Sequence, residues 1–81
     1  MDCLSIKQSN MKLTFQLSNQ RKANGMSQEQ LAHVIGIDRS TLQRWENNSK
    51  TPSLYNFCCW VESLGLQIEI KEKNKITKDN L

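Results

Sequence analysis

The sequence predicts an all-α domain of four main helices followed by one short β-strand. Three observations carry that prediction. Apolar residues recur at three- and four-residue spacing in stretches separated by hydroxyl, Asn, Gly and Pro punctuation. Between Ser27 and Asn47, in SQEQLAHVIGIDRSTLQRWEN, two such stretches are joined only by a tight turn at Gly36. After Gly65 the period changes to alternation, with Leu66, Ile68 and Ile70 apolar and Gln67, Glu69 and Lys71 polar.

Residues 1–8, MDCLSIKQ, are expected to form an N-terminal arm, either disordered or a short edge strand built on Leu4 and Ile6. Ser9 is a credible cap for a first helix from about Asn10 to Asn24, in which Leu13, Leu17 and Gln20 or Arg21 share a face. Phe15 projects away from that stripe, toward either the arm or a partner. Asn24-Gly25 ends the helix. Met26 packs ahead of the second helix, whose hydroxyl cap is Ser27 and whose stripe is Leu31, Ala32 and Ile35. Ile37 plugs the turn, and Asp38 caps the third helix with a charge suited to its positive N-terminus.

Leu42 and Trp45 give the third helix an inward edge. Residues 47–52, NNSKTP, form a turn-rich connector in which Pro52 can open the next helix. Leu54, Phe57, Cys58, Val61 and Leu64 then form the richest apolar stripe in the chain, with Trp60 beside it as a half-buried or intersubunit residue. These elements make residues 9–65 one helical domain, 66–72 a strand and 73–81, KNKITKDNL, a charged mobile tail. A lone strand has nothing to pair with in a helical domain. Its partner is the N-terminal segment, the same strand of a second chain, or both.

The outward face of the third helix carries Arg39, Ser40, Gln43 and Arg44. Small, polar and basic, it suits the edges of base pairs in a DNA major groove. Arg39 is the strongest candidate, because a guanidinium can donate two hydrogen bonds to the O6 and N7 acceptors of guanine. Ser27 and Gln28, at the start of the preceding helix, are placed to hold a phosphate, and Asn47, Lys50 and Thr51 to hold a second one. Arg21 and Glu46 both fall at inward positions. Two charges so placed are expected to pair, clamping the first helix to the third.

Composition narrows the remaining classes. A net charge of +3, from 11 Lys+Arg against 8 Asp+Glu, is too small to assign a function, so the placement of the charges has to do it. Three cysteines, two of them adjacent at Cys58 and Cys59, make no disulfide framework and point to a reducing, cytoplasmic setting. One histidine, His33, and no spaced Cys/His set leave no metal site, and no cofactor is expected. The chain has no Gly-rich phosphate loop and no nucleophile–base constellation, so it is not expected to be an enzyme. No segment is long and apolar enough for a signal peptide or a membrane span.

The run QRKANGMSQEQLAHVIGIDRSTLQRWENNSKTPSL resembles the helix-turn-helix of the phage-repressor, Xre and Cro/C1-type, family through Arg21, Gly25, the SQEQLA run, Gly36, Trp45-Glu46-Asn47 and Pro52-Ser53. The resemblance implies a lambda-repressor-like fold, a phosphate contact at Gln28, groove-facing Arg39, Ser40 and Arg44, and an Arg21–Glu46 ion pair. The chain departs from the family at Asn48, where glycine is common, and at Arg39, often glutamine. The flanks, a helix ahead of this core and SLGLQIEIKEK after it, resemble the antitoxin of Hip-type toxin–antitoxin pairs. That resemblance implies strand pairing across a homodimer, a palindromic operator, a HipA-type serine/threonine kinase as partner toxin, and repression of the chain's own operon. The alternatives are a stand-alone phage-type repressor, a restriction–modification controller, or mainly a toxin-binding inhibitor.

Overall fold

Four helices follow one another in the computed structural model, which describes residues 3–72: α1 Cys3–Ala23, α2 Gln28–Ile35, α3 Arg39–Glu46 and α4 Leu54–Ser63. Short polar turns separate them, and no strand occurs among the described residues. α2 packs against both α3 and α4, while α1 lies chiefly against α3. The core between them holds Leu17, Leu31, Ala32, Leu42, Trp45, Trp60, Val61 and Leu64, with Met26, Ile35, Ile37 and Phe57 packed around it.

α1 begins at Cys3 rather than near Asn10, so the arm and edge strand expected over residues 1–8 give way to helix from residue 3 onward. Ser9 lies in the helix interior and caps nothing. The physical reason is that no Gly or Pro interrupts the chain before Gly25, and the segment is rich in Leu, Lys, Gln and Met, all good helix formers. Residues 6–13 are exposed throughout, so this half of α1 is held by propagation from the packed half rather than by burial. The buried face consists of Thr14, Leu17 and Arg21; Leu13 sits on its edge, and Phe15 points to solvent without a tuck against an arm.

On α4 and its cap the buried residues are Trp60, Val61 and Leu64, with Phe57 partly buried against them. This corrects the expectation of a stripe starting at Leu54, which is 79% exposed, and of a half-buried Trp60, which is fully buried. Cys58 is only half-buried. Counting from Leu54 in steps of three and four can reach either 58 or 57 and 60, and the bulkier ring wins the interior because it removes more apolar surface from water. Pro52 precedes the helix rather than opening it: Ser53 is the N-cap, its Oγ accepting from Asn56 N at 3.2 Å.

Gly65 ends α4 through paired bonds, Gly65 N–H to Glu62 O at 3.0 Å and Leu66 N–H to Val61 O at 3.2 Å, with the positive φ of 78° that glycine takes without strain. Beyond it, Leu66 to Glu69 border a groove with Leu13, Gln16, Leu17, Phe57 and Val61. Residues 66–72 form neither helix nor strand within the single chain. The N-terminal segment, helical from Cys3, is not a strand that could pair with them. The tail expected over 73–81 lies outside the described residues.

Candidate nucleic-acid interface

Ser27 opens α2 with extended backbone, φ −79° and ψ 166°. Its hydroxyl accepts from Gln30 N at 3.0 Å, and Gln30 Oε1 accepts from Ser27 N–H at 2.8 Å. This reciprocal box satisfies two otherwise open amides. Sequence reasoning found the cap but missed the box, although Ser followed three residues later by Gln is a readable signal. At the other end Gly36 takes φ 89°, which reverses the chain within one residue while its N–H still bonds Ala32 O at 2.8 Å. Asp38 occupies the N-cap position of α3 as expected, but its carboxylate makes no cap bond.

With Leu42 and Trp45 buried, helical geometry turns positions 40, 43 and 44 away from the core, while Arg39, one turn before Leu42, lies on the flank in the first turn. Arg39, Ser40, Gln43 and Arg44 are all exposed, and none of their side chains has a hydrogen-bond or ion-pair partner among the described residues. The structure thus brings together one free strip of two guanidinium groups, a hydroxyl and an amide. Asn47 ends α3, its Oδ1 accepting from Ser49 N–H at 2.9 Å, which leaves its amide N–H groups to donate. Lys50 and Thr51 are exposed in the following turn. Asn48 adopts φ 64°, the left-handed shape that the glycine of the resembled family would take.

The expected Arg21–Glu46 pair is formed. Arg21 Nε donates to Glu46 Oε2 at 2.8 Å and Nη2 to Oε1 at 3.1 Å, and both side chains are less than a tenth exposed. Unforeseen partners complete it: Arg21 Nη1 donates to Met26 O at 2.8 Å, and Glu46 Oε1 also accepts from Ser18 Oγ at 3.3 Å and Gln28 Nε2 at 3.0 Å. No local pattern signals these, because the residues are 18 and 28 positions from Glu46. Gln28, expected at a phosphate, therefore sits against the C-terminal end of α3.

Burial pushes the Glu46 carboxyl up, but hydrogen bonds from Arg21 and Gln28, the Arg21 charge and the Ser18 hydroxyl outweigh it and hold the carboxyl below its usual range. A carboxyl depressed on folding contributes stability that is present above its unfolded value near 4.5 and lost as pH falls through the lower folded value. Urea unfolding from neutral pH down to about pH 3 should show that loss, and Glu46→Gln should flatten it. An equally steep acid limb in Glu46→Gln would remove Glu46 from the account.

A helix-turn-helix family model matches residues 17–70. The chain is 32% identical over 59 residues to the cryptic phage CTXphi transcriptional repressor RstR of Vibrio cholerae serotype O1, covering 73% of this chain and 53% of that protein. It is 38% identical over 50 residues to antitoxin HipB of Escherichia coli O6:H1, covering 62% and 53%. The chain spans about half the length of these curated relatives. Among solved structures, a chain of a HipA-HipB-O2-O3 complex matches with a TM-score of 0.73 at 29% identity, over 80% of this chain and 92% of that one. A structure described as MDT protein matches equally well.

Proposed function

The chain belongs to the helix-turn-helix family, and from that premise we propose that it is a sequence-specific repressor that binds a palindromic operator as a homodimer and serves as the antitoxin of a HipA-type kinase. The observation that carries the DNA reading is the free strip on α3. Four adjacent polar side chains without intramolecular partners, backed by a fully buried Leu42, are poised to exchange water for base edges. In this reading Arg39 takes a guanine edge, Ser40 and Gln43 read neighbouring bases, and Arg44 reaches a base or phosphate. Ser27 and Gln28 hold one phosphate at the N-terminus of α2, and Asn47, Lys50 and Thr51 another at the exit of α3.

Residues 66–72 support the dimer. Their alternating pattern finds no strand among the described residues, and a second copy offers an identical one. Two α3 helices would then lie about 34–36 Å apart, one duplex turn. Likeness to antitoxin HipB, and to a chain of a HipA-HipB complex over 92% of its length, supports the toxin partnership. The second reading, a phage-type repressor without a toxin, is favoured by the likeness to RstR. Both place the chain in the cytoplasm as a regulator rather than an enzyme, and neither asks for a cofactor.

Footprinting the DNA upstream of the chain's own gene, with co-expression of its neighbouring reading frames and a pull-down, tests these readings. A footprint of two symmetric half-sites and a co-purifying kinase-like product are expected. A footprint without that product favours the phage-type reading. Arg39→Ala should lose about 1–3 kcal/mol of discrimination at one base pair per half-site, whereas Lys50→Ala should weaken binding to all sequences alike. An Arg39→Ala protein that bound operator and scrambled duplex with wild-type affinities would remove Arg39 from the reading face.

A further inference from the structure

The geometry points to Glu46 as a positioning residue for the DNA backbone contact, acting through Gln28; the inference rests on the DNA-binding reading above. Glu46 itself does not meet DNA. Its side chain is 7% exposed, and its two oxygens already accept from Arg21 Nε and Nη2, Ser18 Oγ and Gln28 Nε2. Oε1 accepts three of these bonds and Oε2 one, and the Arg21 charge offsets that of the carboxylate. A second negative group so close to a phosphate would otherwise repel it.

The bond to Gln28 does more than add a donor to that set. A side-chain amide has an oxygen end and a nitrogen end of nearly the same shape, and an unrestrained Gln presents either one. An ionised carboxylate accepts only, so Glu46 admits only the nitrogen end, and Gln28 Nε2 faces it at 3.0 Å. One N–H is thereby used. The other has no partner among the described residues. A DNA phosphate oxygen is likewise an acceptor, so it requires that remaining N–H and rejects the carbonyl end. Glu46 thus holds Gln28 in the orientation that a phosphate needs before DNA arrives. Because Glu46 is the last residue of α3, the backbone grip at α2 is held in register with the reading helix.

A two-by-two comparison of wild type, Glu46→Gln, Gln28→Ala and the double variant tests this, with a duplex of random sequence at low salt as the probe, since a phosphate grip needs no particular bases. In the Gln28 background Glu46→Gln should weaken duplex binding about fivefold, the loss of one well-placed hydrogen bond. In the Gln28→Ala background it should leave affinity unchanged while still lowering the melting temperature, because Arg21 is deprived of its partner in both. Equal weakening in the two backgrounds would show that Glu46 acts only through the fold and would overturn the proposal. Should Glu46→Gln not fold, Glu46→Asp takes its place in the cycle, keeping a charge for Arg21 while drawing the carboxylate away from Gln28. In the unmodified protein, the Gln28 side-chain amide signals should move with the Glu46 carboxyl on acid titration; signals indifferent to it would overturn the assigned orientation. Wild-type protein that binds no duplex at low salt would sink the DNA reading, while those amide signals still report on the Glu46 bond.

Discussion

Arg21→Ala should lower the unfolding free energy by about 3–5 kcal/mol, the usual cost of stranding one partner of a buried ion pair. The guanidinium makes three bonds at 2.8, 3.1 and 2.8 Å, two to Glu46 and one to Met26 O, and Arg21 is 8% exposed. Alanine leaves the carboxylate with only Ser18 and Gln28 as donors in a site whose burial already opposes its charge. Native domains have about 5–15 kcal/mol in total, so the variant should melt far below wild type. Its acid behaviour should also change. Arg21 supplies two of the four influences that hold the carboxyl down, so without it burial pulls the folded value upward and the acid-induced loss of stability should be smaller in the variant than in the wild type. Urea unfolding followed by far-ultraviolet circular dichroism at two pH values reads both effects. A loss under about 1 kcal/mol, or an unchanged acid slope, would show that solvent already carries most of the Glu46 charge.

This pair was legible in the sequence because two opposite charges fell at inward positions with nothing else nearby to neutralise them. The α2–turn–α3 unit was legible for a different reason. Its signals are local: a cap at Ser27, a residue without Cβ at Gly36, a second cap position at Asp38, and apolar spacing that turns Leu31, Leu42 and Trp45 inward. Once those are placed, exposure of Ser40, Gln43 and Arg44 follows from 3.6-residue periodicity, whereas Arg39, one turn before Leu42, is exposed because it stands in the first turn at the helix end.

Other features depended on information that no short window contains. The start of α1 was misplaced because the segment from Cys3 lacks a breaker, and an apparent Leu4/Ile6 alternation of three residues is too short to specify a strand. Which side of α4 turns inward depended on the shape left between Trp45 and Phe57, a tertiary property. The bonds from Ser18 and Gln28 to Glu46 join elements far apart in sequence. Residues 66–72 form no strand among the described residues, and the pairing proposed for them would need a second chain. Their alternation is visible in one sequence, but the hydrogen bonds of such a pairing are not.

Trp60→Ala should cost about 3–5 kcal/mol, the range for truncating a fully buried large aromatic. Trp60 is 0% exposed, lies 5.5 Å from the Trp45 ring at a 36° tilt, and meets Phe57 edge-on at 6.2 Å. Removing it opens a void beside the Trp45 and Phe57 rings that pack on it. Trp60→Phe should be much milder. The indole N–H of Trp60 has no acceptor among the described residues, so the smaller ring loses contact area but also removes an unsatisfied buried donor, and the two effects oppose each other. The consequence reaches the candidate interface, because Trp45 is the inward anchor of α3 and Trp60 is what it rests on. The chain has two tryptophans, so in Trp60→Ala the emission reports Trp45 alone and should shift to the red as that ring is wetted. Thermal melts, fluorescence and duplex affinity measured below the melting point form one set: alanine should weaken all three readouts, phenylalanine only slightly. A phenylalanine variant as unstable as the alanine one would show that the indole N–H is satisfied, and that Trp60 supports α3 through that bond rather than through its bulk.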